Sequence, residues 1–384
     1  MNNFVYYNPT RIVFGKGTIA DLKALIPADQ TVLMTYGGGA IKRNGVYEQV
    51  KSALSGRRVI EFGGIQPNPL YEHLMDAVKI VRKEQVGFLL AVGGGSVLDG
   101  TKFIAAAARY EGDDPWDILA RNAPVKSAVA LGAVLTLPAT GSESNFFAVV
   151  SRHSTQEKLA FGSEHVYPRF SVLDPQVTMS LPQNQVRTGI VDAFVHVMEQ
   201  YATYPVHAAL QDRQAEAILA TLIEQGPITL RNPADYDARA NFMWSATQAL
   251  NGLISVGVPQ DWGTHMIGHE LTAFYGVAHA ESLAIVMPAL LRHEKERKAA
   301  KLLQFARRVW KVTDASDSAA IEAGIVKMEE FFHSLGMPTH LADYNISPAD
   351  AAKKIGDRFD QRGSKGGEHG DLGGKEAREI LLAC

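Results

Sequence analysis

The first half of the chain alternates short apolar runs with stretches of helical spacing. Between the first two runs, Val46, Val50 and Leu54 recur at helical spacing and a glycine suited to a C-cap follows. Such alternation is typical of a parallel sheet wrapped by helices, so we predict βαβ units. The apolar runs are TVLMTY (31–36), RVIEF (58–62), VGFLLAV (86–92), AVLTLPAT (133–140) and FSVLDP (170–175).

The second half of the chain is predicted to be helical. Stretches such as GIVDAFVHVMEQYAT (189–203) and AEAILATLIEQG (215–226) have helical spacing and few β-branched runs. Near the C-terminus, six glycines between 363 and 374 are too many for a regular element. A short terminal helix is expected after them, around KEAREILLA (375–383).

Length, composition and charge are those of an ordinary globular protein. The 384 residues are 46% hydrophobic and 21% charged, and a chain of this length is expected to form about two domains. The change of pattern along the chain predicts an α/β domain over residues 1–180 and an all-helical domain over residues 181–384. The net charge of -3 argues against a general binder of nucleic acid. No run approaches the ~18 apolar residues of a membrane span, and Cys384 is the only cysteine. We expect a cytoplasmic protein without membrane partners.

Glycine-rich turns follow two of the predicted strands and precede helices, where backbone N–H groups can wrap a phosphate. The first turn contains Gly37, Gly38 and Gly39, and the second runs from Gly93 to Ser96. They indicate either a nucleotide site or two tight strand-to-helix connections. A third turn, LTLPATGSES, offers the hydroxyl groups of Thr136, Thr140 and Ser142.

The first glycine turn also bears on the type of dinucleotide. NAD sites usually place an acid near the adenosine ribose, whereas NADP sites place a cation there. Ala40, Lys42 and Arg43 follow the glycines and no carboxylate lies in the turn. This favours NADP, unless Lys42 and Arg43 are simply solvated surface charges.

Four histidines and one aspartate form two groups in the helical half. Asp192 and His196 are four residues apart, as are His265 and His269, and such pairs share one face of a helix. His279 follows a predicted helix break at Gly276. The groups indicate a first-row divalent metal such as Fe(II) or Zn(II), although a helical Asp–His hydrogen bond would also explain the first pair.

Four motifs in order resemble the iron-containing (group III) alcohol dehydrogenases, nearly end to end. The motifs are GGGSVLDGTK, LPATGSES, VDAFVHVMEQY and HMIGHELTAFYGVAHAESLAIVMP. The chain is most similar to the branch of NADP-dependent aldehyde reductases and butanol dehydrogenases. This resemblance implies a Rossmann-like dinucleotide-binding domain, an all-helical domain as in the dehydroquinate synthase architecture, and a homodimer.

The resemblance also assigns site residues. It places the metal on Asp192, His196, His265 and His279, with His269 beside them outside the ligand set. Two features depart from the family pattern or stay unplaced: Phe146 and Phe147, where relatives mostly carry smaller residues, and the glycine-rich segment 363–374. The implied cofactor residues are Gly37, Gly38, Gly39, Ala40, Asn68, Gly94, Gly95, Ser96, Asp99, Thr136, Thr140, Ser142 and Lys158.

The implied reaction is reduction of an aldehyde to a primary alcohol by NADPH, or the reverse, with a metal that polarises the carbonyl. His269 either delivers the proton to the alkoxide or hydrogen-bonds a metal ligand. Two alternatives are a metal- and nicotinamide-dependent lyase or synthase on the same scaffold, and a metal-stabilised nucleotide-binding module without turnover.

Overall fold

The computed structural model describes residues 1–313 and 316–384. The strands in these residues are β1 Arg11–Phe14, β2 Val32–Tyr36, β3 Val59–Phe62, β4 Phe88–Gly94, β5 Ala130–Leu137, β6 Phe147–Arg152, β7 Glu157–Gly162 and β8 Phe170–Leu173. The α-helices are α1 Leu22–Leu25, α2 Ala40–Arg43, α3 Val46–Ala53, α4 Tyr71–Lys83, α5 Gly95–Ala108, α6 Asp117–Ala120, α7 Gln183–Tyr201, α8 Ala209–Arg231, α9 Tyr236–Ala249, α10 Gly263–Tyr275, α11 His279–His293, α12 Ala299–Arg308, α13 Asp317–Ser334, α14 Pro348–Arg362 and α15 Gly374–Leu382.

Six strands form one parallel sheet in the order β1-β8-β5-β4-β2-β3. Successive residues of β4 point to opposite faces: Leu89 and Ala91 join one hydrophobic core, and Phe88, Leu90 and Val92 join another. Both faces of the strand are therefore buried, which explains its uninterrupted apolar sequence. The predicted parallel sheet covered by helices is confirmed.

The chain leaves β2 and β4 toward opposite sides of the sheet. Residues of α3, which follows β2, belong to the core that contains Val92, whereas residues of α4 and α5 belong to the core that contains Ala91. The carboxyl ends of β2 and β4 are neighbours, so the two glycine turns meet where the connections diverge. A ligand crevice is expected at such a switch point in an open parallel sheet.

The described residues form two compact units. One contains the parallel sheet and comprises residues 7–182 and 233–247, and the other is mostly helical and comprises residues 1–6, 183–232 and 248–384. In the helical unit, α7 packs against α8 and α11, and α10 packs against α11. The domain boundary at residue 180 remains a prediction. Within the described parts of the chain, no helix combines the length and the apolar character that crossing a bilayer requires.

Candidate active site

Asp192 and His196 lie on α7, which is buried for most of its length. Both side chains are at most about 5% exposed, and the closest approach of His196 Nδ1 to Asp192 Oδ1 is 3.8 Å, too long for a hydrogen bond. Among the described residues, neither of these two atoms has a hydrogen-bond partner. A buried polar atom left unsatisfied costs about 1–3 kcal/mol, so the pair requires a further partner.

Two other helices bring histidines to this pair. His265 lies in the first turn of α10, and His279 begins α11 after Gly276, whose φ of 71° ends α10 in the left-handed region. His265 Nε2 lies 3.1 Å from His196 Nε2, and His279 Nε2 lies 3.5 Å from Asp192 Oδ1. Three helices of one unit thus converge on a single point.

The convergent group fits a divalent metal ion. Asp192, His265 and His279 each offer a ligand atom, and these atoms lie within 4.8 Å of one another. Burial lowers the pKa of the His196 imidazole, so the neutral form that binds metals is favoured. One carboxylate oxygen with imidazole nitrogens suits a first-row metal such as iron or zinc.

Glu199 completes the site, although the sequence did not single it out. Its Oε1 accepts hydrogen bonds from the backbone N–H groups of Thr264 (2.7 Å) and His265 (3.3 Å), and its Oε2 contacts His265 Nδ1. A carboxylate at this position favours the tautomer with the proton on Nδ1, in which Nε2 carries no proton and can bind a metal. Burial and the nearby Asp261 raise the pKa of Glu199, whereas the hydrogen bonds from the backbone N–H groups of Thr264 and His265 oppose this rise and favour the carboxylate.

His269 lies one turn beyond His265 on α10. Its ring is centred 6.0 Å from that of His265 and 5.3 Å from that of His279, and the residue is partly exposed. It stands outside the three ligand atoms that lie within 4.8 Å of one another. This placement suits a group beside a metal site, and its role remains a prediction.

The sheet-containing unit carries the predicted cofactor loops. Gly37, Gly38 and Gly39 follow β2, Ala40 begins α2, and Gly95 begins α5. A Cβ atom on Gly95 would lie 2.5 Å from the Thr140 side chain, so this turn and the turn after β5 touch each other. The 14-residue helix α5 begins directly after β4, and the N–H groups at such a helix start suit a phosphate.

Asp99 and Ser142 bind each other in this unit. Ser142 Oγ donates to one oxygen of Asp99 (2.7 Å), and the backbone N–H of Val149 donates to the other (3.0 Å). Burial raises the pKa of Asp99, while the buried Lys102 opposes the rise. Asp99 therefore ties α5 to the loop that follows β5 and to β6.

The remaining predicted cofactor residues lie around the same loops. Asn68 has a left-handed φ of 55° and precedes α4. The backbone of the next residue, Pro69, accepts a hydrogen bond from Ser151 on β6. Thr136 and Lys158 are buried on β5 and β7, respectively, and Gly94 and Ser96 flank the start of α5. The Asn68 turn thus adjoins the β6–β7 hairpin that carries Lys158.

The two cations after the first glycine turn differ in their surroundings. Lys42 lies 3.6 Å from Glu61 and over the rings of Tyr36 and Tyr47. A carboxylate from the neighbouring strand β3 therefore compensates Lys42, which the sequence of the turn did not indicate. Arg43 is exposed and forms no ion pair within residues 1–313 and 316–384. Of the two cations, Arg43 is the one available to a phosphate.

One unit has glycine turns that suit a phosphate, and the other has a buried group of histidines and an aspartate that suits a metal. Together these features are typical of a metal-dependent, nucleotide-binding enzyme. Residues 9–175 match the family described as iron-containing alcohol dehydrogenase, and residues 185–365 match the C-terminal part of the Fe-containing alcohol dehydrogenase family. The chain belongs to the iron-containing alcohol dehydrogenase family. The resemblance predicted from the four motifs is therefore confirmed, and the chain is an oxidoreductase.

Individual relatives agree with this family. The chain is 62% identical over 348 residues to the NADPH-dependent aldehyde reductase YqhD of Escherichia coli, covering 90% of each chain. It is 42% identical to the NADP-dependent alcohol dehydrogenase 3 of Entamoeba histolytica, covering 99% of this chain and 98% of the relative. A crystal structure of YqhD from E. coli K-12 superposes with a TM-score of 0.98 at 57% identity, over 100% of this chain and 98% of that one. These findings favour the oxidoreductase over the lyase and the binding-module alternatives.

Replacement of Glu199 by glutamine tests its role in orienting His265. The amide offers one acceptor oxygen, so it cannot accept from both the backbone N–H groups and His265 Nδ1. We expect the dissociation constant for Zn(II), measured by competition with a chelator, to rise about 10–100-fold. The matched control is Glu379→Gln on α15, where the side chain is 47% exposed. A variant that binds zinc as the parent does would contradict the role.

Replacement of Arg43 by glutamate tests the preference for a 2′-phosphate. A negative side chain at position 43 would repel the 2′-phosphate. The KM for NADPH should therefore rise about tenfold or more, the equivalent of about 1.4 kcal/mol, while the KM for NADH stays nearly unchanged. Initial rates with each cofactor measure the difference. Lys83→Glu at the end of α4 makes the same charge change at an exposed position as a control. Equal changes for both cofactors would show that Arg43 does not contact the phosphate.

Proposed function

We propose that this chain reduces aldehydes to primary alcohols with NADPH, and catalyses the reverse oxidation, using one divalent metal ion. The observation that carries the proposal is the buried group Asp192, His265 and His279, adjoined by His196, in a member of the iron-containing alcohol dehydrogenase family. The 62% identity to an NADPH-dependent aldehyde reductase supports the substrate class and the cofactor. We take Asp192, His196, His265 and His279 as the ligands.

The bound metal supplies Lewis-acid polarisation of the carbonyl oxygen, and the bound nicotinamide supplies the hydride. The protein's residues hold and orient these groups. Neutral imidazoles and the Asp192 carboxylate are presented from three packed helices, and Glu199 holds the tautomer of His265. Trp262 packs edge-on against the rings of His196 and His265 and gives this side of the site an apolar wall.

We assign proton delivery to His269. The alkoxide formed by hydride addition must gain a proton, and His269 is a partly exposed imidazole next to the ligand His279. His269 lies one helical turn from His265 on α10, so the helix holds it beside the proposed ligands. The competing role, a hydrogen bond that only supports a ligand, predicts a different effect on metal binding.

For NADP(H), we propose that the glycine turns and the start of α5 hold the phosphates. The hydroxyl of Thr140 lies against Gly95 at this edge. We propose that Asp99 acts mainly by fixing Ser142, since both of its oxygens already accept hydrogen bonds within the protein. The proposed set is Gly37, Gly38, Gly39, Ala40, Asn68, Gly94, Gly95, Ser96, Asp99, Thr136, Thr140, Ser142 and Lys158.

We also propose a homodimer that works in the cytoplasm. In the sheet-containing unit, the side chains of Tyr7, Phe14 and Trp244 are large, apolar and substantially exposed. Phe14 ends β1, an edge strand that pairs on one side only, with β8. Exposed apolar side chains at a sheet edge are suited to an interface with a second copy. The single cysteine is consistent with a reducing compartment.

The proposed activity is tested by following NADPH oxidation with short-chain aldehydes by the metal-loaded enzyme. We expect turnover that is lost after chelation and restored by Fe(II) or Zn(II). Asp192→Ala should abolish it together with metal binding, because the only carboxylate of the ligand set is removed. Absence of NADPH oxidation by fully loaded enzyme would contradict the proposal.

His269→Ala separates the two roles of that residue. If His269 delivers the proton, kcat should fall about 10²–10⁴-fold while metal content and zinc affinity stay those of the parent. Metal analysis and the pH profile of kcat measure the outcome together. Loss of metal from the variant would make His269 a ligand or its support, and the proton-transfer role would be wrong.

A further inference from the structure

The glycine-rich segment, residues 363–374, is an ordered loop in the helical unit. It begins at Gly363, which ends α14 with a left-handed φ of 60°. Reciprocal backbone hydrogen bonds between Gly366 and Leu372 (2.9 and 3.0 Å) close the loop. Gly367 and Gly370 have φ values of 75° and 66° and form its turn, a conformation that side chains other than glycine rarely adopt. The backbone geometry therefore explains the glycines at positions 363, 367 and 370.

The loop carries one carboxylate into the interior. Glu368 accepts a hydrogen bond from Lys298 Nζ (2.6 Å), and the same ammonium donates to Asp261 (2.6 Å) and to the carbonyl oxygen of Ala202 (2.9 Å). The three charged side chains are between 2% and 7% exposed. All three donors of Lys298 are thus used, and the network is shielded from water.

This network ends on the first turn of α10. Asp261 Oδ1 accepts from the backbone N–H of Gly263 (2.7 Å), the first residue of the helix, and the Asp261 N–H donates to the carbonyl oxygen of Glu199 (2.9 Å). Together with the Glu199 carboxylate, Asp261 therefore binds the N–H groups of residues 263, 264 and 265. Two buried carboxylates satisfy the donors that begin α10.

The loop also packs directly on this turn. A Cβ atom on Gly366 would lie 2.3 Å from Met266 Sδ, and one on Gly263 would lie 2.8 Å from Leu372 Cδ1. His369 stacks on Tyr204 at 5.1 Å between ring centroids. Both the charges and the close packing therefore connect the glycine-rich segment to the turn that contains His265.

We propose that the glycine-rich segment is a positioning element of the metal site, with Glu368 acting through Lys298 and Asp261 to fix the first turn of α10 and the direction of the His265 ring. The inference rests on the proposed role of His265 as a ligand. Removing the charge of Glu368 leaves Lys298 partly uncompensated in the interior, which favours rearrangement of the Asp261 contact. The ring of His265 then loses its fixed direction, and metal affinity falls.

Glu368→Gln tests this at the same side-chain volume. We expect its dissociation constant for Zn(II), measured by chelator competition, to rise about tenfold, as for other residues that orient metal ligands. The dissociation constant for NADPH should stay that of the parent. Asp371→Asn is the matched control, because it lies in the same loop and removes a carboxylate that pairs with Arg297 at the surface. The control should bind zinc as the parent does.

A purely structural role gives a different result. In that case Glu368→Gln lowers the thermal midpoint but leaves the zinc dissociation constant within about threefold of the parent, and the proposal is wrong. If the parent itself binds no zinc, the proposed ligand set fails as well. These two failures are distinguished by the parent measurement.

Hydrogen exchange of the unaltered protein provides a test if Glu368→Gln does not fold. Coupling between two sites is reciprocal, so zinc binding should slow exchange in residues 363–374 as well as in residues 262–266. Exchange in the segment 322–330 of α13, which belongs to the same unit, should be unaffected and provides the reference. Zinc-dependent protection confined to residues 262–266 would overturn the proposal.

Discussion

The burial of Asp192 on α7 is the constraint on which the helical unit depends. A carboxylate oxygen without a hydrogen-bond partner inside a helix that is buried for most of its length is costly, and it is tolerated where a cation compensates it. The histidines of α10 and α11 approach the same point. In the ligand set that we propose, three helices share one compensating ion, and the direction of each ring then contributes to the stability of the fold.

The first turn of α10 shows how that organisation is maintained. Its N–H groups are bound by Glu199 and Asp261, and Asp261 is in turn bound by Lys298. The same carboxylates that satisfy the helix terminus thus determine where the His265 ring points. In the other unit, Asp99 has a comparable role, because it binds Ser142 and Val149 and so joins three segments around the glycine turns.

Several of these features could be predicted from sequence, and the reasons for the rest are physical. Five apolar runs correspond to β2, β3, β4, β5 and β8. All except the edge strand β3 are buried on both faces, and such strands are continuous apolar runs in sequence. The four-residue strand β1 and the β6–β7 hairpin were not predicted, since short or mixed runs carry little pattern. The i, i+4 spacing of Asp192 and His196 indicated that the two side chains bind one metal ion. The structure removes the alternative of a direct hydrogen bond between them. Glu199 could not be identified, because its partners Thr264 and His265 are more than 60 residues away along the chain. Similarly, Glu61 compensates Lys42 only because β3 lies beside β2.

We propose that one ion is shared by Asp192, His196, His265 and His279. Anomalous diffraction from crystals grown with Fe(II) or Zn(II) tests it most directly, at the absorption edge of the metal. We expect one ion about 2.0–2.2 Å from an oxygen of Asp192 and from a nitrogen of each of the three imidazoles. An ion bound through His269 in place of one of these residues, or no ion at this group in a protein that oxidises NADPH with aldehyde, would contradict it.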